Sequence, residues 1–132
     1  MEPNSPEQWW PLFQRAMRAG DIEALLRLYE PEAVIAGADG QMRPGHDGVR
    51  EQLRPLVEAR ANFDFTIKKI IRSGDLALLH TAVQISEPRV SSGYALEVLR
   101  RQPDGRWLLV LGDPFTIGAA IEEAARVTPG MR

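Results

Sequence analysis

The apolar positions of this chain change period part-way along it. Up to about residue 60 they recur every three or four residues, the spacing of one helix face; from residue 62 they run or alternate as strands do. Ser5, Pro6, Glu7 and Gln8 have the order of a helix start: a hydroxyl for orphan N–H groups, a proline at the first helical position and a glutamine at the capping-box position. Trp9, Leu12, Phe13, Ala16 and Met17 then line one face. Pro11 predicts either a kink or a regular helix that begins there after an irregular segment. Gly20 and Asp21 end this helix and cap a second one over 22–28, with a sharp corner between the two. Glu30, Pro31 and Glu32 punctuate the chain before a short strand over 33–36 and a turn over 37–40. A third helix is predicted over 47–60, with Val49, Leu53, Leu56 and Val57 as its buried stripe and Pro55 as a bend.

Strands follow over 63–72, 76–85, 93–101 and 107–112, joined by turn-rich segments around Gly74, over 86–92 and around Gly105. The pattern predicts a long antiparallel meander, then a short helix over 118–127. Helices first and strands afterwards argue for an α+β fold in which the helices cover one face of a curved antiparallel sheet. The strand over 76–85 is apolar on both parities, with Leu76, Leu78 and Ala82 opposed to Ala77, Leu79, Val83 and Ile85, so both of its faces should be covered. Helices account for one face. A second copy of the chain is the economical cover for the other, and a homodimer through the outer sheet face is expected.

Composition narrows this picture. A chain of 132 residues suits one domain, here with its core over about 5–116, and there is no internal repeat or low-complexity segment to divide it. Hydrophobic residues at 44% and charged residues at 26% fit neither a disordered tail nor a membrane protein. With 16 Lys and Arg against 18 Asp and Glu, the net charge of -2 offers no field for polyanions, and nucleic acid is not an expected partner. The absence of cysteine removes disulfides, thiolate nucleophiles and Cys-based metal sites. No run is long and apolar enough to span a bilayer, and the acidic start at Glu2 lacks the basic and apolar regions of a secretory signal, so no membrane partner and a cytoplasmic location are expected. His46 and His80 stand far apart with no metal-ligand spacing, and no glycine-rich phosphate loop or Gly-x-Ser-x-Gly elbow is present. No metal and no cofactor are expected.

Several short stretches, taken in order, carry a resemblance. Arg18 to Leu25 with its Gly20-Asp21 corner, then Leu28-Tyr29, Glu32-Ala33-Val34, Asp39-Gly40 and Gly45 to Arg50 resemble the first half of a SnoaL-like or ketosteroid-isomerase-like domain of the nuclear-transport-factor-2-like superfamily. Asp104 to Trp107 and Asp113-Pro114-Phe115 are similar to its last hairpin and strand, so the resemblance runs from about Phe13 to Phe115. It implies a cone of curved sheet closed by helices, an apolar pocket at the wide end and, usually, a dimer through the sheet. It does not imply one reaction, because function lives in the site rather than the fold. Isomerase chemistry of this type uses a carboxylate base, with a phenol and a protonated acid at the developing oxyanion. Aligned on Gly20-Asp21, the phenol's place falls at Phe13, the base's at Gly37 and the acid's at Arg100, so all three groups are missing. A slip of one or two residues would bring Asp39 towards the base's place.

The same alignment turns Leu78, His80, Ala82 and Gln84 of one strand and Tyr94, Leu96, Val98 and Arg100 of the next into the cone. His80 and Arg100 together in an apolar cavity would then suit a polar or anionic ligand group. Each candidate has a plainer reading. His80 is equally a hydrogen-bonded core histidine, Arg100 an ion-paired residue with Glu97 or a partner's carboxylate, and Tyr94 a strand-packing aromatic. Asp39 before Gly40 and Asp113 before Pro114 read as turn residues or as displaced bases. His46 at a helix start reads as part of the turn, and Phe13 and Met17 as core or pocket wall. Three functions remain open. The leading one is a small-molecule-binding protein for a hydrophobic or aromatic metabolite, with Phe13, Met17, His80, Gln84, Tyr94, Val98 and Arg100 as contacts. The second is a metal-independent isomerase, cyclase or lyase using His80, Asp39 or Asp113 as general base; the third is a structural dimerisation module with a filled interior.

Overall fold

The computed structural model describes residues 2–87 and 90–114. The helix expected over 118–127 and Phe115 lie outside the described residues. After a 3₁₀ turn at Pro6–Gln8 come α1 (Trp9–Ala19), α2 (Ile22–Leu26), β1 (Tyr29–Ala36), β2 (Met42–Pro44), α3 (Gly45–Glu58), β3 (Asn62–Ser73), β4 (Leu76–Glu87), β5 (Ser91–Arg101) and β6 (Trp107–Pro114). The fold is α+β, a single six-stranded curved sheet in the order β2-β1-β6-β5-β4-β3 with the helices on its inner face.

The meander from β3 to β6 is antiparallel as expected, but β1 joins β6 in parallel, through Val34↔Leu111 and Ile35↔Gly112. The turn over 37–40 also adds a strand that the sequence pattern did not reveal, β2, whose three residues are too short for any periodicity. Pro11 falls in the first turn of α1, where its missing N–H has no intrahelical partner, so α1 runs unbroken to Gly20, which ends it at φ 69°. Asp21 caps α2 by accepting from the Ala24 N–H at 3.0 Å.

Trp9, Trp10, Phe13 and Met17 from α1 and Val49, Leu53 and Val57 from α3 bury against the sheet. The inner face presents Ala77, Leu79, Thr81, Val83 and Ile85 from β4 and Ala95, Glu97 and Leu99 from β5. This reverses the expected parity: His80, Gln84, Tyr94, Val98 and Arg100 are on the outer face. The reason is physical. β4 is apolar on both sides and does not choose, so β5 decides, where one set carries Glu97 and the other Tyr94 and Arg100. Glu97 finds hydrogen-bond donors inside, which makes its burial tolerable, whereas Arg100 reaches Glu30 on the outside at 2.9 Å.

Gly48 lets α3 lie directly on β2, since a Cβ there would be 2.5 Å from the Arg43 carbonyl carbon and 2.9 Å from its Cα. On a free helix Gly→Ala stabilises by about 1 kcal/mol. Here Gly48→Ala should instead destabilise by roughly 1–3 kcal/mol, the usual cost of forced overpacking, read as a lower urea midpoint at unchanged slope. A rise in the midpoint would show that α3 does not need this contact.

Candidate functional site

The inner face of β5 places one carboxyl group in an aromatic interior. Glu97 is opposite Leu79 of β4 and Gly112 of β6, and is only 3% exposed. The Trp10 indole N–H donates to its Oε1 at 2.8 Å, and the Thr81 hydroxyl donates to the same oxygen at 3.0 Å. Trp10 is held by packing that surrounds its ring, stacked on Phe65 at 5.7 Å and edge-on to Phe13 at 4.9 Å. Among the described residues no hydrogen bond ends on the other oxygen, Oε2. Burial pushes the Glu97 carboxyl up to about 7, against the bonds from Trp10 and Thr81, which favour the charged form.

Glu97 borders a cavity of about 40 Å³, room for roughly one to three waters. Trp9, Trp10, Phe13, Phe63 and Leu53 supply much of the apolar wall, and Gly112 contributes no side chain where a Cβ would come within 3.3 Å of Ile35 and Leu109. Three further polar residues border it: Tyr29, Gln52 and Asp113, the last paired with Leu96 and bordering the outer face of the sheet as well. Tyr29 is 5% exposed, and no hydrogen bond among the described residues ends on its hydroxyl. Burial, and then the charge of Glu97, raise the Tyr29 phenol well above its ordinary value. Asp113, on the rim, keeps one carboxylate oxygen, Oδ1, buried without a partner among the described residues. The arrangement offers a carboxyl able to hold or release a proton near neutrality, a phenol that stays protonated, and an apolar enclosure.

The residues singled out from sequence divide between the two sides of the sheet. Phe13 lines the cavity and Asp113 its rim, while Met17 is fully buried in the core but does not border the cavity. His80 and Tyr94 pack together outside, ring centroids 5.4 Å apart, and Gln84 is exposed. Arg100 pairs with Glu30, which Gln102 also contacts at 2.7 Å, so Glu97 is not its partner. Asp39 is in the β1–β2 turn, accepting from the Gln41 N–H and from Arg43, which hold its carboxyl low; it does not border the cavity. His46 donates from Nε2 to the Tyr29 carbonyl at 3.0 Å. Of the isomerase places, Gly37 is crowded by Gln52 Oε1, 3.0 Å from where a Cβ would stand. Sequence reasoning missed Glu97, Tyr29, Trp10 and Thr81. The available signal was Glu97 itself, one charge amid the alternate apolar residues Ala95 and Leu99. Among the described residues no three His, Asp or Glu side chains gather as a metal site, and no helix is long and apolar enough to cross a membrane.

A cone of this topology with a polar group at its apolar centre matches the family suggested by the sequence. Residues 12–110 fit the model of the SnoaL-like domain. The chain belongs to the SnoaL-like domain family. Among solved structures, this SnoaL-like chain is similar to a ketosteroid isomerase-like protein from Erwinia carotovora atroseptica, with TM-score 0.66, 20% identity, and 81% of this chain and 89% of that one covered. An NTF-2-like protein of unknown function from Shewanella oneidensis gives TM-score 0.68 at 20% identity over 81% of this chain and 93% of that one. A protein of unknown function with a cystatin-like fold from Nostoc punctiforme gives 0.69 at 15% identity over 86% and 92%. At such identities the likeness is one of fold. No curated protein matches the sequence.

The Glu97 proton should be visible in stability. Because its folded value of about 7 lies above the ordinary 4.5, the folded protein keeps a proton that the unfolded chain gives up, so this group's contribution is fully present below about pH 4.5 and is lost as pH rises towards 7. The full shift amounts to roughly 3 kcal/mol. Glu97→Gln keeps an oxygen for Trp10 and Thr81 without the titration. Urea unfolding at several pH values should show the variant gaining on the wild type as pH rises from about 5 to about 8; a constant difference would contradict the buried acid.

Proposed function

We propose that this SnoaL-like protein binds a small, mostly apolar metabolite in the interior of its cone, with Glu97, Tyr29 and Asp113 as the polar contacts. The observation that carries this reading is a buried carboxyl at an apolar cavity whose second oxygen, like the neighbouring phenol, meets no hydrogen-bond partner among the described residues. A buried carboxyl paired through one oxygen and a buried phenol with no hydrogen bond among the described residues have capacity left for a ligand or a bound water, since polar groups in an interior usually find a partner. No metal or cofactor enters this reading, and the proposed location is the cytoplasm.

A second reading is favoured by one specific observation. A carboxyl raised to about 7 beside a protonated phenol has the acid–base character used by isomerases, cyclases and lyases, and one structural neighbour is named ketosteroid isomerase-like. In that reading Glu97 takes or returns the proton and Tyr29 donates to the substrate oxygen. A purely structural module would need neither.

A thermal-shift screen of small hydrophobic ketones, alcohols and amines tests binding, because a ligand that binds only the folded state must raise its stability. Hits should lose at least tenfold in affinity in Glu97→Gln or Tyr29→Phe and be unchanged in His80→Ala. Equal affinity in all four proteins would remove the interior site.

The outer face of the sheet is the second proposed contact. Val34, Leu78, Leu96 and Val98 form an open apolar surface with Met42, 60% exposed, and Leu111, 52% exposed. We assign it to a second copy of the chain, since a self-complementary patch is the simplest way to cover a face of this kind. Light scattering should give a dimer for the wild type and a monomer for Leu111→Lys with Val98→Glu, both with an intact far-ultraviolet spectrum. A wild-type monomer at micromolar concentration would overturn the assignment.

A further inference from the structure

The cavity carries a charge pattern as well as a shape. Among the described residues no Lys, Arg or His borders it, while Glu97 and Asp113 both do. Two arginines of the sheet are engaged elsewhere: Arg100 pairs with Glu30 on the outer face, and Arg43 with Asp39 and Glu51 beside the β1–β2 turn. The open acceptors belong to carboxyl groups, while Tyr29 and Gln52 carry donors. Glu97 Oε2 and Asp113 Oδ1 are acceptors when ionised, with no donor directed at either among the described residues. Tyr29, more than nine-tenths buried, completes the set with a hydroxyl that makes no hydrogen bond among the described residues.

We propose that the interior site selects ligands by the charge of their head group: it takes a small molecule ending in a hydrogen-bond donor, an alcohol, a phenol or an amine, and turns away carboxylates and other anions. This rests on the reading that the interior is the ligand site, and it names the class of ligand. An anion entering there would meet no cation among the described residues and, above about pH 7, the ionised Glu97 carboxyl in an enclosure poor in water, where like charges are little screened. A donor instead satisfies oxygens that the protein leaves open. The space of about 40 Å³ beside Glu97 suits a head group rather than a whole molecule, so the hydrocarbon body lies against the apolar wall towards the rim.

Three probes with one hydrocarbon body, 1-propanol, propylamine and propionate, isolate the head group. The reporter is the Trp10 indole N–H resonance, assigned by its loss in Trp10→Phe, because that N–H is bonded to Glu97. At about pH 8, where Glu97 is mostly ionised, and at millimolar concentrations, propanol and propylamine should move it with saturation, and propionate should bind at least tenfold more weakly. In Glu97→Gln the preference should shrink, bringing propionate to within a few-fold of propanol. If propionate moves the wild-type resonance as well as propanol does, the charge selection is wrong while the interior site stands. If none of the three moves it, the interior site itself fails, and the inference with it.

Discussion

A carboxyl group enclosed by indole and phenyl rings is the constraint on which this structure turns. Removing it from water is unfavourable by several kcal/mol unless donors replace the lost hydration. Trp10 and Thr81 both supply such donors to one oxygen of Glu97, and they come from different elements, α1 and β4, while Glu97 belongs to β5. The hydrogen bond from Trp10 therefore ties the roof helix to the middle of the sheet. Its ring also stacks on Phe65 of β3 and meets Phe13, so the polar tie and the aromatic packing fix the same register of α1 over the cone. Neither works without the other: the rings exclude water, and that exclusion is what makes the donors necessary.

The two sides of the sheet consequently take different work. Inside, the polar groups among the described residues are few, buried and incompletely paired. Outside, charge is spent in pairs such as Arg100 with Glu30, and the remaining surface of β4, β5 and β6 is apolar and open. The residues with the most conspicuous chemistry in the sequence, His80 and Arg100, belong to this outer side, where they shape a surface rather than a cavity.

Local signals in the sequence were sufficient for the three helices and the four strands of the meander. Helix stripes, the Gly20-Asp21 corner and the turns at Gly74 and Gly105 each act through backbone geometry within a few residues, and the four meander strands fall within two residues of their expected ends, whereas β1 begins at Tyr29, four residues before its expected start. What was not legible depends on partners distant in sequence. The parallel pairing of β1 with β6 joins residues that share no local pattern. The parity of β4 is undetermined because both of its sides are apolar, and it is settled only by the donors that α1 brings to Glu97, 87 residues from Trp10. Reading a charged residue as outward is the ordinary inference from solvation. It failed at Glu97 because the fold supplies that residue's solvation internally. Tyr29 escaped notice for the related reason that nothing near it in sequence distinguishes a strand aromatic from a cavity phenol.

The central claim is that Glu97 is an acid buried in the cone that titrates near neutrality. Carbon-13 NMR of glutamate side-chain carboxyls, with Glu97 assigned by its loss in Glu97→Gln, measures this directly. The account predicts a midpoint near 7 for Glu97, far above the salt-bridged Glu30, whose carboxyl Arg100 holds low. A Glu97 midpoint in the ordinary range near 4.5 would mean that the carboxyl is solvated, and the interior site built on it would not stand.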